Sequence, residues 1–226
     1  MTDFFRFPHT PHLSWLGSGE PRDDKVLSPN EASTVLAGEV VVEEKLDGAN
    51  LGVSINEAGS LRAQNRGQYL QPPFIGQFSR LASWLATHED RIVAALTPNL
   101  IAFGEWCAAR HSLDYVSLPD WWLLFDIYDR QTDRFWSTAR RDDWARKTGV
   151  TTVSRIDREK FDLVALKRLL DRSPSRYREG PMEGIVIRAE QGDWLKERAK
   201  LVRANFTQSI EVHWRKRPLQ WNRLKS

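Results

Sequence analysis

Strand-length apolar runs in this chain fall in clusters, with helical stretches set between the clusters and no steady alternation of strand and helix. Glu39–Lys45 and Asn50–Asn56 read as two β-branched strands joined through Leu46-Asp47-Gly48, and Leu61–Asn65 follows after the Ala58-Gly59-Ser60 turn. Leu100–Glu105 and Trp121–Tyr128 are dense enough for the centre of a sheet, and Gly184–Arg188 and Trp194–Val202 close the series. Ser28-Pro29-Asn30-Glu31 reads as a capped helix start, with the short helix ending near Gly38. Phe78–Leu96 has helical spacing, with Leu81, Trp84, Leu85, Ile92 and Leu96 on its apolar side. Ser137–Lys147 and Lys160–Leu170 are amphipathic, and Ala204–Lys216 reads as a last helix. This order predicts an α+β fold on mostly antiparallel sheets and argues against a doubly wound one. No G-x-x-x-x-G-K-[ST] and no G-x-G-x-x-G occurs, so P-loop and Rossmann nucleotide binding are not expected.

The polar residues attached to these strands carry the chemistry. Lys45 ends a strand and is followed by Asp47 and Gly48, which sets an amine at the mouth of a sheet, with a glycine where the backbone can approach a ligand closely. Asn65-Arg66-Gly67 follows about twenty residues on, then Phe103-Gly104-Glu105-Trp106 and Phe125-Asp126-Ile127-Tyr128. Glu183-Gly184-Ile185-Val186-Ile187-Arg188 and, after Lys196, Arg198-Ala199-Lys200 complete the set.

These motifs, in this order, resemble the series found in covalent nucleotidyltransferases, the polynucleotide ligases and mRNA capping enzymes. Within that superfamily the ATP-dependent RNA ligases look nearest, on F-G-E, F-D-I-Y, E-G-I-V-I-R and R-A-K-L-V-R-A-N-F. The resemblance implies a nucleotidyltransferase (ATP-grasp-like) domain over residues 1–202. It implies that Lys45 attacks ATP and carries AMP covalently, with Mg2+ or Mn2+ held by Glu183. Glu44 would read the adenine amino group, Phe125 would stack on adenine, and Glu105 would hold the ribose. Arg66 would contact the ribose or the incoming 5′-phosphate, and Arg198 and Lys200 would embrace the α-phosphate. Asp47, Gly48 and Lys196 are carried over as further nucleotide-binding positions. The family commonly has lysine where this chain has Arg198; arginine keeps the charge and the donors but is not proton-labile. A lysine of ordinary pKa, ~10.4, is about 0.1% neutral near physiological pH, so nearby cations are expected to lower the pKa of Lys45.

Charge is unevenly spread: Trp194–Ser226 carries nine Lys and Arg against Glu197 and Glu211, a net +7 in a chain whose total is +3. A polyanionic partner, above all RNA ends or nicks, fits that distribution, as does a solvated basic tail. Trp121-Trp122 reads as core. Trp214 and Trp221 lie among Arg215, Lys216, Arg217 and Arg223, which suits either nucleic-acid ends or packing of a terminal helix. Residues 203–226 are expected to form a short basic helical extension without a C-terminal OB-fold, which favours an RNA ligase. A minimal DNA nick ligase and a non-sealing adenylylated protein that binds RNA ends are the alternatives, the latter with a partner protein or RNA-binding module in trans. His12, His111 and His213 lack metal-ligand spacing. The single cysteine, Cys107, excludes an internal disulfide. With no signal-peptide pattern and no run of ~18 apolar residues, the expectation is a cytoplasmic protein without membrane contact.

Overall fold

A computed structural model describes residues 4–19, 21, 25–204, 206 and 218–225. The chain enters α1, Pro29–Val35, through the expected cap: Glu31 N–H donates to Ser28 Oγ while Ser28 N–H donates to Glu31 Oε2. Then come β1, Val40–Lys45, β2, Ala49–Ile55, and β3, Leu61–Gln64. After a 3-10 turn at Gly76–Phe78, α2 spans Leu81–Ala95, so the helix starts three residues later than the spacing of Phe78 suggested. β4, Leu100–Trp106, and β5, Trp122–Asp129, follow, with a two-residue β6, Arg134–Phe135. α3, Thr138–Thr148, is capped by Ser137 and closed by Gly149 at φ 68°, a left-handed turn that glycine adopts without strain.

β7, Arg155–Glu159, leads into α4, Leu163–Arg172, which begins at Leu163 and not Lys160 because Asp162 accepts from Ala165 N–H at 2.7 Å. β8, Gly184–Gln191, and β9, Trp194–Val202, form the last hairpin. β6 and β7 were not foreseen. β6 is too short to show a period, and β7 is a charged edge strand with little apolar alternation.

The strands form two antiparallel sheets, ordered β7-β1-β8-β9 and β3-β2-β4-β5-β6. Each covers one face with helices. Val40, Val42, Ile185, Ile187, Ala199 and Leu201 pack with α4 residues Leu166 and Leu170. Leu51, Val53, Ala102, Trp122 and Ile127 pack with Leu81, Trp84 and Ile92 of α2 and Trp144 of α3. Trp122 is fully buried in that core, and Trp121 packs against it.

The other two faces turn toward a shared cavity, and buried ion pairs join the sheets beside it. Arg141 Nη2 of α3 donates to Glu43 of β1 at 2.6 Å, and Arg188 Nη2 of β8 donates to Asp126 of β5 at 2.7 Å. The N-terminal segment bridges the sheets a third time. Phe5 and Phe7 lie on Phe103, Tyr128 and Phe125, while Leu13 N–H donates to the Lys200 carbonyl on β9.

The C-terminal segment 218–225 folds back on the body, with bridges from Trp221 to Ala109 and from Leu224 to Leu118. His213, Trp214, Arg215, Lys216, Arg217 and most of the expected last helix lie outside the described residues. No helix among the described residues is long and apolar enough to cross a membrane.

Candidate active site

Strand alternation builds the cavity. On β1, Val40 and Val42 enter the core, so Glu43 and Lys45 face the other way, toward the second sheet. On β8 and β9 the same rule turns Val186, Arg188, Arg198 and Lys200 to the cavity, and the ladder sets Val186 opposite Lys200 and Arg188 opposite Arg198. On β5 the alternation breaks. Between Phe103 and Gly104 the register with β4 skips Phe125, and this bulge lets consecutive residues Phe125 and Asp126 both line the cavity. Asn50, Arg66 and Glu105 close the far side of a space of about 560 Å³.

Lys45 sits where the chain crosses between the sheets. Its Nζ is 2.6 Å from Glu183 Oε1, a pairing fixed by the register of Lys45 opposite Gly184. Gly48 also lines the cavity, but its close approach is to β4 and not to a ligand surface. A Cβ there would lie 2.6 Å from the Trp106 carbonyl oxygen, so the crossing requires glycine. Its N–H donates to Glu105 Oε1 at 2.9 Å, which brings the first and third motifs together.

Asp47 does not line the cavity. Its Oδ2 accepts from the N–H groups of Ser112 and Leu113 at 2.6 and 2.7 Å, and its own N–H donates to the Tyr115 hydroxyl. Glu44 lines the cavity with both carboxylate oxygens held: Ser175 Oγ donates to one at 2.6 Å and Arg176 N–H to the other at 2.9 Å. Burial pushes Glu44 above the usual carboxylate range, against those two hydrogen bonds.

The expectation that cations depress the Lys45 pKa does not hold in the nucleotide-free protein. Burial acts to lower it, but the carboxylates of Glu183, Glu105 and Asp47 outweigh burial and raise it above 10.5. Those acids respond in turn. Burial lifts Glu183 to about 7 against the pull of Lys45, and Glu105 likewise to about 7.

Arg198 and Lys200 lie on the cavity wall, yet the guanidinium of Arg198 is taken up by Asp126 and lies over the rings of Phe7 and Phe135 at 4.5 and 4.9 Å. Burial, with Arg188 and Arg66, holds Arg198 below its ordinary pKa despite Asp126.

Lys196 is not brought in. It sits at a bulge of β9, skipped by the ladder to β8, and four residues of extended chain set it ~13 Å from Lys200. There it lines a neighbouring depression with His9, Arg134 and Phe135.

Several contributors escaped the sequence reading. Arg141 Nη1 and Arg188 Nη1 both donate to the Phe125 carbonyl, at 2.8 and 3.3 Å, and so hold the bulge. Asp126 was visible in F-D-I-Y but had no role, and its two oxygens serve Arg188 and Arg198. His9, Thr10, Gln77 and His111 also line the cavity, with Gln77 Oε1 and His111 Nε2 2.8 Å apart. None belongs to a motif, so only the fold could reveal them.

Two antiparallel sheets thus meet at a strand-end lysine that pairs with Glu183, with Arg188 and Arg198 on the same cavity wall. The model of the RNA ligase family matches residues 38–202, and the chain belongs to that family. Its fold is similar to RNA ligase structures from Naegleria gruberi. One, with pyrophosphate, has a TM-score of 0.60 at 17% identity, covering 92% of this chain and 64% of that one. A variant with AMP and manganese gives 0.60 at 18% identity, covering 92% and 65%. Another variant, with ATP and manganese, gives 0.58 at 17% identity, covering 80% and 54%. The chain thus spans between 54% and 65% of the length of these structures. No curated protein matches it in sequence.

Proposed function

We propose that this chain is an ATP-dependent RNA ligase that seals 3′-hydroxyl and 5′-phosphate ends through AMP carried on Lys45. The observation that carries the reading is Lys45 at the junction of the sheets, on a cavity lined also by Arg66, Glu105, Phe125, Arg198 and Lys200. Family membership and the ATP, AMP and pyrophosphate bound to the Naegleria gruberi enzymes support it.

In the first step the neutral Lys45 amine attacks the α-phosphorus of ATP; the N–P bond forms as the P–O bond to pyrophosphate breaks. The ammonium proton must leave first, and Glu183 Oε1, 2.6 Å away, is the adjacent acceptor. Phe125, displayed by its bulge, stacks on adenine, Glu44 meets the adenine edge, and Glu105 and Arg66 hold the ribose. Lys200 and Arg198 meet the α-phosphate and offset charge on the transferring group. In the second step a 5′-phosphate oxygen attacks the same phosphorus and frees the lysine. In the third, the 3′-hydroxyl attacks the 5′-phosphate and AMP leaves.

The residues fit a divalent cation in part. Glu183 Oε2 is buried without a hydrogen-bond partner, while no group of three His, Cys, Asp or Glu among the described residues could hold an ion alone. Mg2+ or Mn2+ would therefore take Glu183 together with triphosphate oxygens, and there it would offset phosphate charge. Lys196 and Arg134, in the depression beside the cavity, are suited to the RNA backbone.

Substrate choice is tested with enzyme pre-loaded with AMP and offered nicked and single-stranded RNA and DNA. Sealing of RNA ends is expected, with RNA affinity falling steeply as salt rises. Sealing confined to DNA nicks would identify a DNA ligase, and loading without sealing an RNA-end-binding protein.

A further inference from the structure

Far from the motifs in sequence, Asn222 is 2% exposed and uses every polar atom of its side chain. Tyr115 N–H donates to its Oδ1 at 2.9 Å, and its Nδ2 donates to the carbonyls of Cys107 and Ala109 at 2.7 and 3.3 Å. The backbone doubles the link: Asn222 N–H donates to the Ala108 carbonyl and Arg223 N–H to the Tyr115 carbonyl, both at 2.9 Å. Asn222 thus pins both ends of the 107–115 loop.

That loop does one thing next to the reactive lysine. The Ser112 and Leu113 N–H groups hold the Asp47 carboxylate, and the Tyr115 hydroxyl accepts from Asp47 N–H at 2.8 Å. The loop continues to Val116 and Ser117, whose N–H groups donate to the Tyr177 carbonyl, beside the Ser175 and Arg176 groups that hold Glu44. Both acidic neighbours of Lys45 are therefore fixed by structure that the C-terminal segment clamps.

Resting on the reading of Lys45 as the AMP acceptor, we propose that Asn222 is a positioning residue for the K-x-D-G hinge, acting through Tyr115 and Asp47. Its removal disturbs the aim of Lys45 at the α-phosphorus more than it disturbs ATP binding, because the Phe125 carbonyl is held by Arg141 and Arg188, outside the clamp. A displacement of about 1 Å at a reacting atom can cost ~100-fold in rate.

The test measures the rate of AMP transfer to Lys45 at rising ATP in the full chain. Asn222→Ala should lower the rate at saturating ATP by ~10–100-fold while half-saturation moves by less than about threefold. Tyr115→Phe, which removes only the hydroxyl that Asp47 N–H uses, should lower the same rate. The double variant should fall no further than the weaker single one, as members of one chain of contacts do. Ile92→Val, a mild loss in the α2 core, should leave the rate unchanged. Asn222→Ala and Tyr115→Phe proteins that transfer AMP at the unsubstituted rate, or whose losses simply multiply, would overturn the inference. Should Asn222→Ala not fold, Tyr115→Phe at full rate is sufficient to overturn it. An unsubstituted protein that takes no AMP on Lys45 would instead sink the function itself.

Discussion

The two ends of the cavity handle charge in opposite ways. Around Lys45 one amine faces the carboxylates of Glu183, Glu105 and Asp47. Around Phe125 three buried guanidinium groups, on Arg141, Arg188 and Arg198, meet the carboxylates of Glu43, Asp126, Asp142 and Glu190. At the acid end the carboxylates raise the pKa of the lysine; at the arginine end every guanidinium already has a carboxylate partner. The proposed attack by Lys45 requires the balance at the acid end to change, because a raised pKa keeps the amine protonated.

The contrast is broken most severely by Asp126→Ala, which leaves Arg188 and Arg198 buried without their shared partner. Loss of one member of a buried pair costs about 3–5 kcal/mol, read as a lower midpoint in urea unfolding. The next test sharpens the acid end. Glu105 and Glu183 rise from 4.5 to about 7 on folding, so the folded protein binds their protons more tightly than the unfolded chain. Their contribution to stability is complete below pH 4.5 and is lost as pH climbs to about 7, by on the order of 3 kcal/mol for each group. Thermal melts of nucleotide-free protein should fall over that window. Glu105→Gln, which can still accept from Gly48 N–H, should flatten the slope.

Phe125→Leu addresses the arginine end more gently, since it keeps the bulge and removes the stacking surface. Stacking on a base is worth about 1–3 kcal/mol, so the ATP concentration for half-maximal loading should rise roughly tenfold. The smallest effect falls outside both ends: the exposed Arg158–Glu39 pair, at 2.6 Å, should yield less than about 1 kcal/mol when Arg158 becomes Ala.

How much of this could be read from sequence follows from how each feature is encoded. Strands such as β1 and β8 were legible, because short β-branched apolar runs bounded by turn residues mark a buried strand. The order of the motifs was legible too, and Lys45, Glu44, Arg66, Glu105, Phe125, Arg198 and Lys200 line one cavity. What stayed hidden was pairing through space. That Lys45 meets acids first, that Asp47 faces the 112–113 amides, and that Arg141 on an ordinary-looking helix holds Phe125 all depend on which surfaces the fold apposes. Lys196 shows the converse: it is on the right strand, but at a bulge past the end of the cavity.

The central claim is that one amine takes the nucleotide. Incubation with α-labelled ATP and Mn2+, followed by peptide mass spectrometry, should find a single AMP on Lys45 and none on the Lys45→Ala protein. AMP on a different residue, or label that survives the substitution, would contradict the account.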